Sequence, residues 1–271
     1  MTSTNEFQAR ERATAFRRQH RLGTAPIPDL VTVIEDAVGI DVAVLDADSD
    51  EHGLSVRNPD TGRILIGVAR TAHPMRQRST LAHELGHVLF DDFTTANNEN
   101  LSHRSPAEIR ADAFARHLLI PVDGVRKFFS EGFGDPAEEL SRVVRWFRVS
   151  PVLALIVLRD CGYVSQAEVD RLSRMSTQQL ATLYGWMDVY SSWSEASMRH
   201  KSPRQLMRRA LLGYVDGLVS AQVIANMQGV GVDVAVEQLK SAGIEPIDLP
   251  GPELDDDWSP PVPVDMDDFP E

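Results

Sequence analysis

The first third of the chain alternates between two spacings of its apolar residues. Leu30 to Val38 carry them at helical spacing, whereas the β-branched residues of Ile40 to Leu45 alternate with others and predict a strand. Gly53 to Arg57 and Arg63 to Val68 predict two further strands. Pro74 is a favoured first helical residue and opens a helix that runs to about Leu89. The pattern therefore predicts a small β-sheet that is directly followed by a long helix.

The rest of the chain is predicted to be helical between its loops. Asp91 to Ser105 is polar and irregular, and Gly132 and Gly134 mark a loop and a candidate domain boundary. The other predicted helices are Glu6 to His20, Glu108 to Ile120, Glu138 to Phe147, Val152 to Arg159, one that opens after Ser165, Thr177 to Val189, Pro203 to Leu211, Ala221 to Met227 and Val234 to Ser241. The predicted fold class is α+β, with a small sheet near the N-terminus and an all-helical C-terminal region.

These elements group into four predicted segments. Residues 1–135 are predicted to form the domain that holds the sheet, 136–175 a helix-turn-helix-like unit, and 176–245 a C-terminal helical region. In residues 246–271 prolines and acidic residues dominate, so this segment buries too little apolar surface to order itself and is predicted to be a disordered tail. A solubilising role is the favoured interpretation of the tail, and the alternative is a mimic that covers a basic groove of the same chain.

The helix-turn-helix-like unit has an unusual second helix. A DNA-binding unit of this kind presents polar side chains of that helix to the groove. Here the helix reads PVLALIVLR from Pro151 to Arg159, apolar all round, as is typical of a buried helix. The formal net charge of −13 also opposes contact with phosphates. We therefore expect a structural or protein-docking unit and no direct DNA binding.

Composition narrows the setting of the protein. No apolar run approaches the roughly 18 residues of a membrane helix, and the N-terminal residues lack the apolar core of a secretory signal. The single cysteine, Cys161, permits neither an internal disulfide nor a thiolate metal cluster. We expect a cytoplasmic protein that is not embedded in a membrane. The sequence does not indicate the oligomeric state.

A pair of histidines flanks a glutamate in His83-Glu84-Leu85-Gly86-His87. Residues four apart lie on the same face of a helix, so the two imidazoles point to one place, as a tetrahedral Zn²⁺ site requires. Glu84 lies about 100° further around the helix axis. It would stand beside the metal, where it can accept a proton from a bound water. Leu81, Leu85, Val88 and Leu89 lie on the opposite face and can anchor the helix in the core.

A second predicted helix offers the missing ligand. Glu108 and Asp112 are again four residues apart, so both point one way. Glu108 would complete a His₂Glu set and leave the fourth position to water. Asp112 would accept the free ring N–H of one liganding histidine, and the sequence does not say which. Zn²⁺ is the expected cofactor and Mn²⁺ the alternative, since metal loading also depends on availability.

Other features allow two interpretations each. His103 is either a donor that stabilises an oxyanion or a surface histidine. Strand Arg63 to Val68 is either an edge strand that pairs with an extended substrate or an ordinary core strand. His117 lies on a different face of its helix from Asp112, and we interpret it as a packing residue or as one that supports a metal ligand from outside the ligand set. Four further residues form either an exposed surface for a partner or, as is more common, part of the core: Trp186, Tyr190, Trp193 and Met198.

The segments RQRSTLAHELGHVLF (76–90) and EIRADAFARHLLIP (108–121) resemble the ImmA/IrrE family of metallopeptidases. The resemblance covers Leu30 to Pro121, and more loosely the chain to about Leu172. It implies a zincin-type HExxH helix in which His83 and His87 bind zinc and Glu84 is the catalytic acid/base, with Glu108 as third ligand. It also implies a protein substrate, typically a helix-turn-helix repressor or antitoxin-type regulator, which is cleaved to relieve repression.

Two functions are therefore weighed. The first is a zinc metalloendopeptidase that cleaves such a regulator. The second is a non-cleaving regulator that keeps the metal for structure and sequesters a repressor or another partner protein. Glu84 favours the first, because a purely structural zinc site needs no acid/base residue.

Overall fold

The computed structural model describes residues 2–47, 53–93 and 105–247. The strands are β1 (Asp41–Leu45), β2 (Gly53–Arg57) and β3 (Ile64–Ala69). The helices are α1 (Thr2–Gln19), α2 (Leu30–Thr32, continued as a π-helix over Val33–Val38), α3 (Pro74–Phe90), α4 (Pro106–Leu119), α5 (Val122–Phe128), α6 (Pro136–Phe147), α7 (Pro151–Asp160), α8 (Gln166–Leu172), α9 (Thr177–Leu183), α10 (Met187–Ser197), α11 (Arg204–Val215), α12 (Ala221–Gln228) and α13 (Val232–Ser241). The predicted α+β fold class is confirmed.

The sheet has the order β1-β3-β2, with β3 parallel to β1 and antiparallel to β2. Val42 of β1 and Ile66 of β3 are fully buried, so one face of the sheet lies in the core. The interpretation of Arg63 to Val68 as an edge strand is wrong, because β3 has a partner on each side. The alternation of apolar residues identifies a strand but not its neighbours. Strand β2 contacts α3, and no other described strand pairs with its outer edge.

Helix α3 forms where the sequence predicts it and is held from both sides. Pro74 occupies its first turn, and Asp91 ends it in the left-handed conformation, with φ of 60°. Leu81 and Leu85 are buried in the core beneath the helix. A Cβ at Gly86 would lie 3.2 Å from the Cα of Ala111, so glycine allows α4 to approach α3 closely at this point.

Helix α1 covers the other side of α4. Ala9 and Ala13 are fully buried in this contact, which small side chains make close. The buried Arg17 donates from Nε to the carbonyl of Leu118 over 3.0 Å, and from its other nitrogens to carbonyls before α2. Since a buried guanidinium needs acceptors, these carbonyls fix the path of the chain between α1 and α2.

One predicted helix is divided in the structure, and one helix was not predicted. The helix predicted from Thr177 to Val189 is two helices, because Gly185 adopts a left-handed conformation with φ of 70° and ends α9. Helix α5 was not predicted, since a glycine in its first turn lowers helical propensity. That residue, Gly124, has a packing reason: a Cβ would lie 2.5 Å from the carbonyl oxygen of Thr24.

The helical region shares one core with the sheet. Trp186 is almost fully buried, and its Nε1 donates to Ser141 Oγ over 2.9 Å, whereas Met198 is exposed. The main core therefore reaches into α10, and a second small cluster joins Ala210, Ile224 and Leu239 in α11–α13.

The segment limits at 135, 175 and 245 stay predictions, and the acidic tail after residue 247 lies outside the described residues. Every helix in the described ranges is too short or too polar to cross a bilayer.

Candidate metal centre

Helices α3 and α4 bring the three predicted ligands together. His83 and His87 lie one helical turn apart, and their Nε2 atoms are 2.9 Å from each other. One carboxylate oxygen of Glu108 lies 3.2 Å from His83 Nε2, and the other lies 3.2 Å from His87 Nε2. One candidate ligand atom from each residue lies within 4.8 Å of the others. This set of two imidazoles and one carboxylate fits Zn²⁺ and leaves a fourth position open.

The start of α4 sets the position of Glu108. Ser105 caps the helix by accepting a hydrogen bond from the Glu108 amide, and Pro106 occupies the first turn. Further along, Arg110 forms a salt bridge with Asp92, in which Nη2 donates to both carboxylate oxygens at 2.6 and 2.7 Å. Since Asp92 follows α3 directly, this bridge ties the two ligand-bearing helices together beside the site.

Asp112 contacts His83, which answers the question that the sequence left open. Its Oδ1 lies 2.8 Å from His83 Nδ1. A proton on Nδ1 that is donated to this carboxylate leaves the lone pair of Nε2 for a metal. Burial lowers the pKa of His83, but hydrogen bonds to Asp112 and Glu108 outweigh it and raise the pKa to about 9. A proton and a cation therefore compete for His83 Nε2.

The other two ligands differ from His83 in their surroundings. Hydrogen bonds from His83 and His87 hold the pKa of Glu108 well below its usual range, so its carboxylate stays charged. His87 is 7% exposed, and its Nδ1 has no hydrogen-bond partner within the described ranges. Of the two histidines, His83 is thus the one whose Nδ1 contacts a carboxylate of the described residues.

Glu84 is buried next to these ligands and lies between α3 and β2. Burial raises the pKa of its carboxyl group, and the hydroxyl of Ser55 donates a hydrogen bond to it. A Cβ at Gly53 would lie 3.1 Å from Glu84 Oε1, so glycine lets the edge strand pass close to this carboxylate. A carboxyl group with a raised pKa suits proton transfer near neutral pH.

The comparison with protein families agrees with this geometry. The peptidase M78 family model, which describes the IrrE N-terminal-like domain, matches residues 35–159. The chain contains an ImmA/IrrE family peptidase domain. The ImmA/IrrE match begins in the π-helical turn and ends in α7, so it includes the sheet and both ligand-bearing helices. It supports a metallopeptidase-type function and, with it, a protein substrate. No curated protein sequence matches the chain.

The structure of the ImmA/IrrE domain adds two residues to those that the sequence analysis proposed. Gly53 and Ser55 of β2 line the side of Glu84, and sequence reasoning missed them because nothing in a single strand shows which helix it contacts. A glycine at the start of a strand was the available signal, since it often marks close backbone approach. His103 lies outside the described residues, so its role as an oxyanion donor stays a prediction.

His117 takes no part in the centre. Its Nε2 lies 2.7 Å from Glu6 Oε1 of α1, on the far side of α4 from Glu108. The interpretation of His117 as a packing residue agrees with this contact, in which it helps to fasten α1 to α4.

Proposed function

We propose that this chain is a zinc-dependent endopeptidase that cleaves a helix-turn-helix transcriptional repressor or antitoxin-type regulator and thereby relieves repression. The observation that carries the proposal is the convergence of His83, His87 and Glu108, with the buried Glu84 beside them. The family match supports the peptidase class, and the choice of a repressor as substrate rests on the resemblance alone. The single cysteine supports a reducing, cytoplasmic setting.

Each residue then has a distinct task. A zinc ion, when bound, supplies Lewis-acid activation of a water and of the scissile carbonyl. Glu84 accepts the proton of the attacking water on its carboxylate and delivers it to the leaving amine. Asp112 keeps the His83 ring in the orientation and tautomer that a ligand needs. Ser55 donates a hydrogen bond to the Glu84 carboxylate. This bond restricts the orientation of the carboxylate, and with it the directions in which Glu84 can transfer a proton.

Strand β2 is the element that we assign to substrate binding. Its inner edge pairs with β3, and no other described strand pairs with its outer edge. Leu54 and Val56 are about half exposed, and Gly53 adjoins Glu84. An extended peptide that adds to this edge would satisfy the backbone hydrogen bonds of β2 and bring its own carbonyls to the centre.

The test is site-specific cleavage of repressors by the purified protein. Helix-turn-helix repressors encoded in the same genome are incubated with the zinc-loaded chain and with Glu84→Gln, and products are identified by mass spectrometry. We expect one cleaved bond in one repressor and a rate lower by about 10²–10⁴-fold in the variant. Equal cleavage by both proteins would contradict the role of Glu84.

The same variant separates cleavage from sequestration. A chain that regulates by binding alone would act on its partner equally well with Gln at position 84, and the partner would stay intact.

Metal analysis of the parent and of His83→Ala tests the cofactor. We expect about one equivalent of zinc in the parent and its loss in the variant. If the parent contained manganese and not zinc, Mn²⁺ would be the cofactor.

A further inference from the structure

A cavity of about 450 Å³ lies behind α3, away from the metal centre. It is lined by residues at the start of α2, the N-terminal half of α3, the turn between α6 and α7, and α10, and by one residue each of β1 and β3. Its volume is within the range of small-molecule binding sites, which are largely apolar with a few polar groups. The apolar part of its wall includes Leu30, Val44, Val68, Met75, Leu81 and Trp193.

The cavity and the metal centre occupy different faces of the same helix. At 100° per residue, Arg78 in the cavity wall is about 140° from His83 and about 180° from His87 around the axis of α3. A molecule in the cavity would therefore touch α3 without contacting the ligand set.

Two arginines converge at the polar end of this cavity. Arg78 donates from Nη2 to the carbonyl of Ile27 over 2.7 Å, and its Nη1 lies 3.5 Å from the carbonyl oxygen of Pro28. Arg148 donates from Nη1 to the same carbonyl of Pro28 over 2.8 Å. Both guanidinium groups thus reach one oxygen atom. Neither lies within salt-bridge distance of a carboxylate in the described part of the chain.

The charge at this end of the cavity is only partly balanced. Asp29 is the acidic residue in the wall, and its carboxylate caps α2 by accepting hydrogen bonds from the amide and hydroxyl of Thr32, at 3.0 and 2.8 Å. One carboxylate therefore stands against two guanidinium groups. Burial lowers the pKa of Arg78 to about 10, and the repulsion of Arg148 adds to this effect while the attraction of Asp29 opposes it.

The guanidinium group of Arg148 is fixed in position and has unused hydrogen-bond donors within the described residues. It adopts a left-handed conformation with φ of 53° at the end of α6, and its guanidinium carbon lies 4.8 Å from the centroid of Trp193. A guanidinium group offers five N–H donors, of which the structure gives Arg148 one hydrogen bond within the described residues. The remaining donors match the planar geometry of a carboxylate or the oxygens of a phosphate.

We propose that this cavity binds a small organic anion, whose carboxylate or phosphate pairs with Arg78 and Arg148 while an apolar body packs against Leu81 and Trp193. The site joins the ImmA/IrrE domain, which contributes α3, to the region beyond it, which contributes α10. The proposal is independent of peptidase activity, because binding is measured without a substrate protein.

The test is isothermal titration of the full zinc-loaded chain with octanoate and with hexyl phosphate, and with 1-octanol as the uncharged control. We expect one saturable site for at least one of the two anions and none for the alcohol. Arg148→Gln should weaken that binding by at least about tenfold, the loss of one charged hydrogen-bonded pair. Arg145→Gln is the matched control, since Arg145 is exposed one turn earlier on α6 and does not line the cavity.

A second variant keeps the test decisive if Arg148→Gln does not fold. Ala196 is exposed at the cavity, so Ala196→Phe fills space without changing charge and should also weaken binding. The proposal is overturned if neither anion binds saturably to the parent chain. It is equally overturned if the anion binds both cavity variants as tightly as the parent, since the anion then sits elsewhere, for example at the metal.

Discussion

At the residue scale, the candidate centre separates the groups that we propose as metal ligands from the group that we propose to orient one of them. His83, His87 and Glu108 offer the atoms that could hold a metal ion, and Asp112 contacts the outer nitrogen of His83. The i, i+4 spacings predicted both pairs of residues from the sequence alone. The choice of His83 as the partner of Asp112 could not be predicted, because it depends on the rotation of α4 against α3.

The contact between Asp112 and His83 predicts that Asp112 strengthens zinc binding. Asp112→Asn keeps the shape of the side chain but removes its charge, so it should weaken zinc binding by about 10–100-fold. Competition with a zinc chelator measures this constant. Glu237→Gln is the control for a lost carboxylate, because Glu237 is exposed on α13, away from the centre. Equal zinc affinity in the parent and Asp112→Asn would show that Asp112 does not support the site.

At the element scale, the period of the apolar residues predicted the strands and the metal helix. Pairing did not follow from it: β3 lies between β1 and β2, because a parallel and an antiparallel partner are chosen by tertiary contacts. Gly53 and Gly124 illustrate the same limit, since each glycine looks like a local breaker and instead permits a close contact with a distant segment.

The contact between α3 and α4 predicts that Gly86→Ala is destabilising. The new methyl group would lie 3.1 Å from Phe114 Cδ1 and 3.2 Å from Ala111 Cα, which is tighter than most real Cβ contacts and requires α4 to shift by a few tenths of an ångström. Overpacking of this kind costs about 1–3 kcal/mol, against a gain of about 1 kcal/mol in helical propensity. We expect a lower melting temperature and weaker zinc binding, since Glu108 moves with α4. A melting temperature equal to or above that of the parent would contradict the tight packing.

The contact between α1 and α4 predicts a pH-dependent stability. Burial raises the pKa of Glu6, but hydrogen bonds from Arg116 and His117 outweigh it and lower the pKa below 4.5. The ion pair therefore contributes fully above pH 4.5 and is lost as the pH falls through the lowered pKa. Because the Glu6 side chain is 44% exposed, its contribution is about 1 kcal/mol at most.

Urea unfolding of the parent and Glu6→Gln between neutral and acidic pH measures this contribution. The difference in free energy of unfolding should be largest near neutrality and should vanish in acid, where Glu6 is protonated. Protonation at the metal centre affects both proteins alike and cancels in the difference. Glu11→Gln, an exposed residue of the same helix, is the control. A difference that is independent of pH would exclude an ion pair as its cause.

At the scale of the whole molecule, the ImmA/IrrE match ends in α7, but the hydrophobic core does not. Leu180, Ala181 and Trp186 are almost fully buried in the same core as the sheet. Gln77 of α3 also donates to the carbonyl of Ser197 in α10 over 2.9 Å. The segment limit predicted after residue 175 stays a prediction, because the helix-turn-helix spacing behind it records local pattern and not the burial of one segment by another.

We therefore predict that a chain that ends after residue 175 does not fold cooperatively. Its sheet and metal helices are complete, but it lacks the side chains that cover α6, and Trp186 alone is expected to contribute about 3–5 kcal/mol. That loss is comparable with the whole stability of an ordinary domain, about 5–15 kcal/mol. A chain that ends after residue 247 is the control and should melt like the parent. A cooperative transition and full zinc binding in the shorter chain would instead make residues 1–175 an independent unit, and α9 and α10 a separate layer added to it.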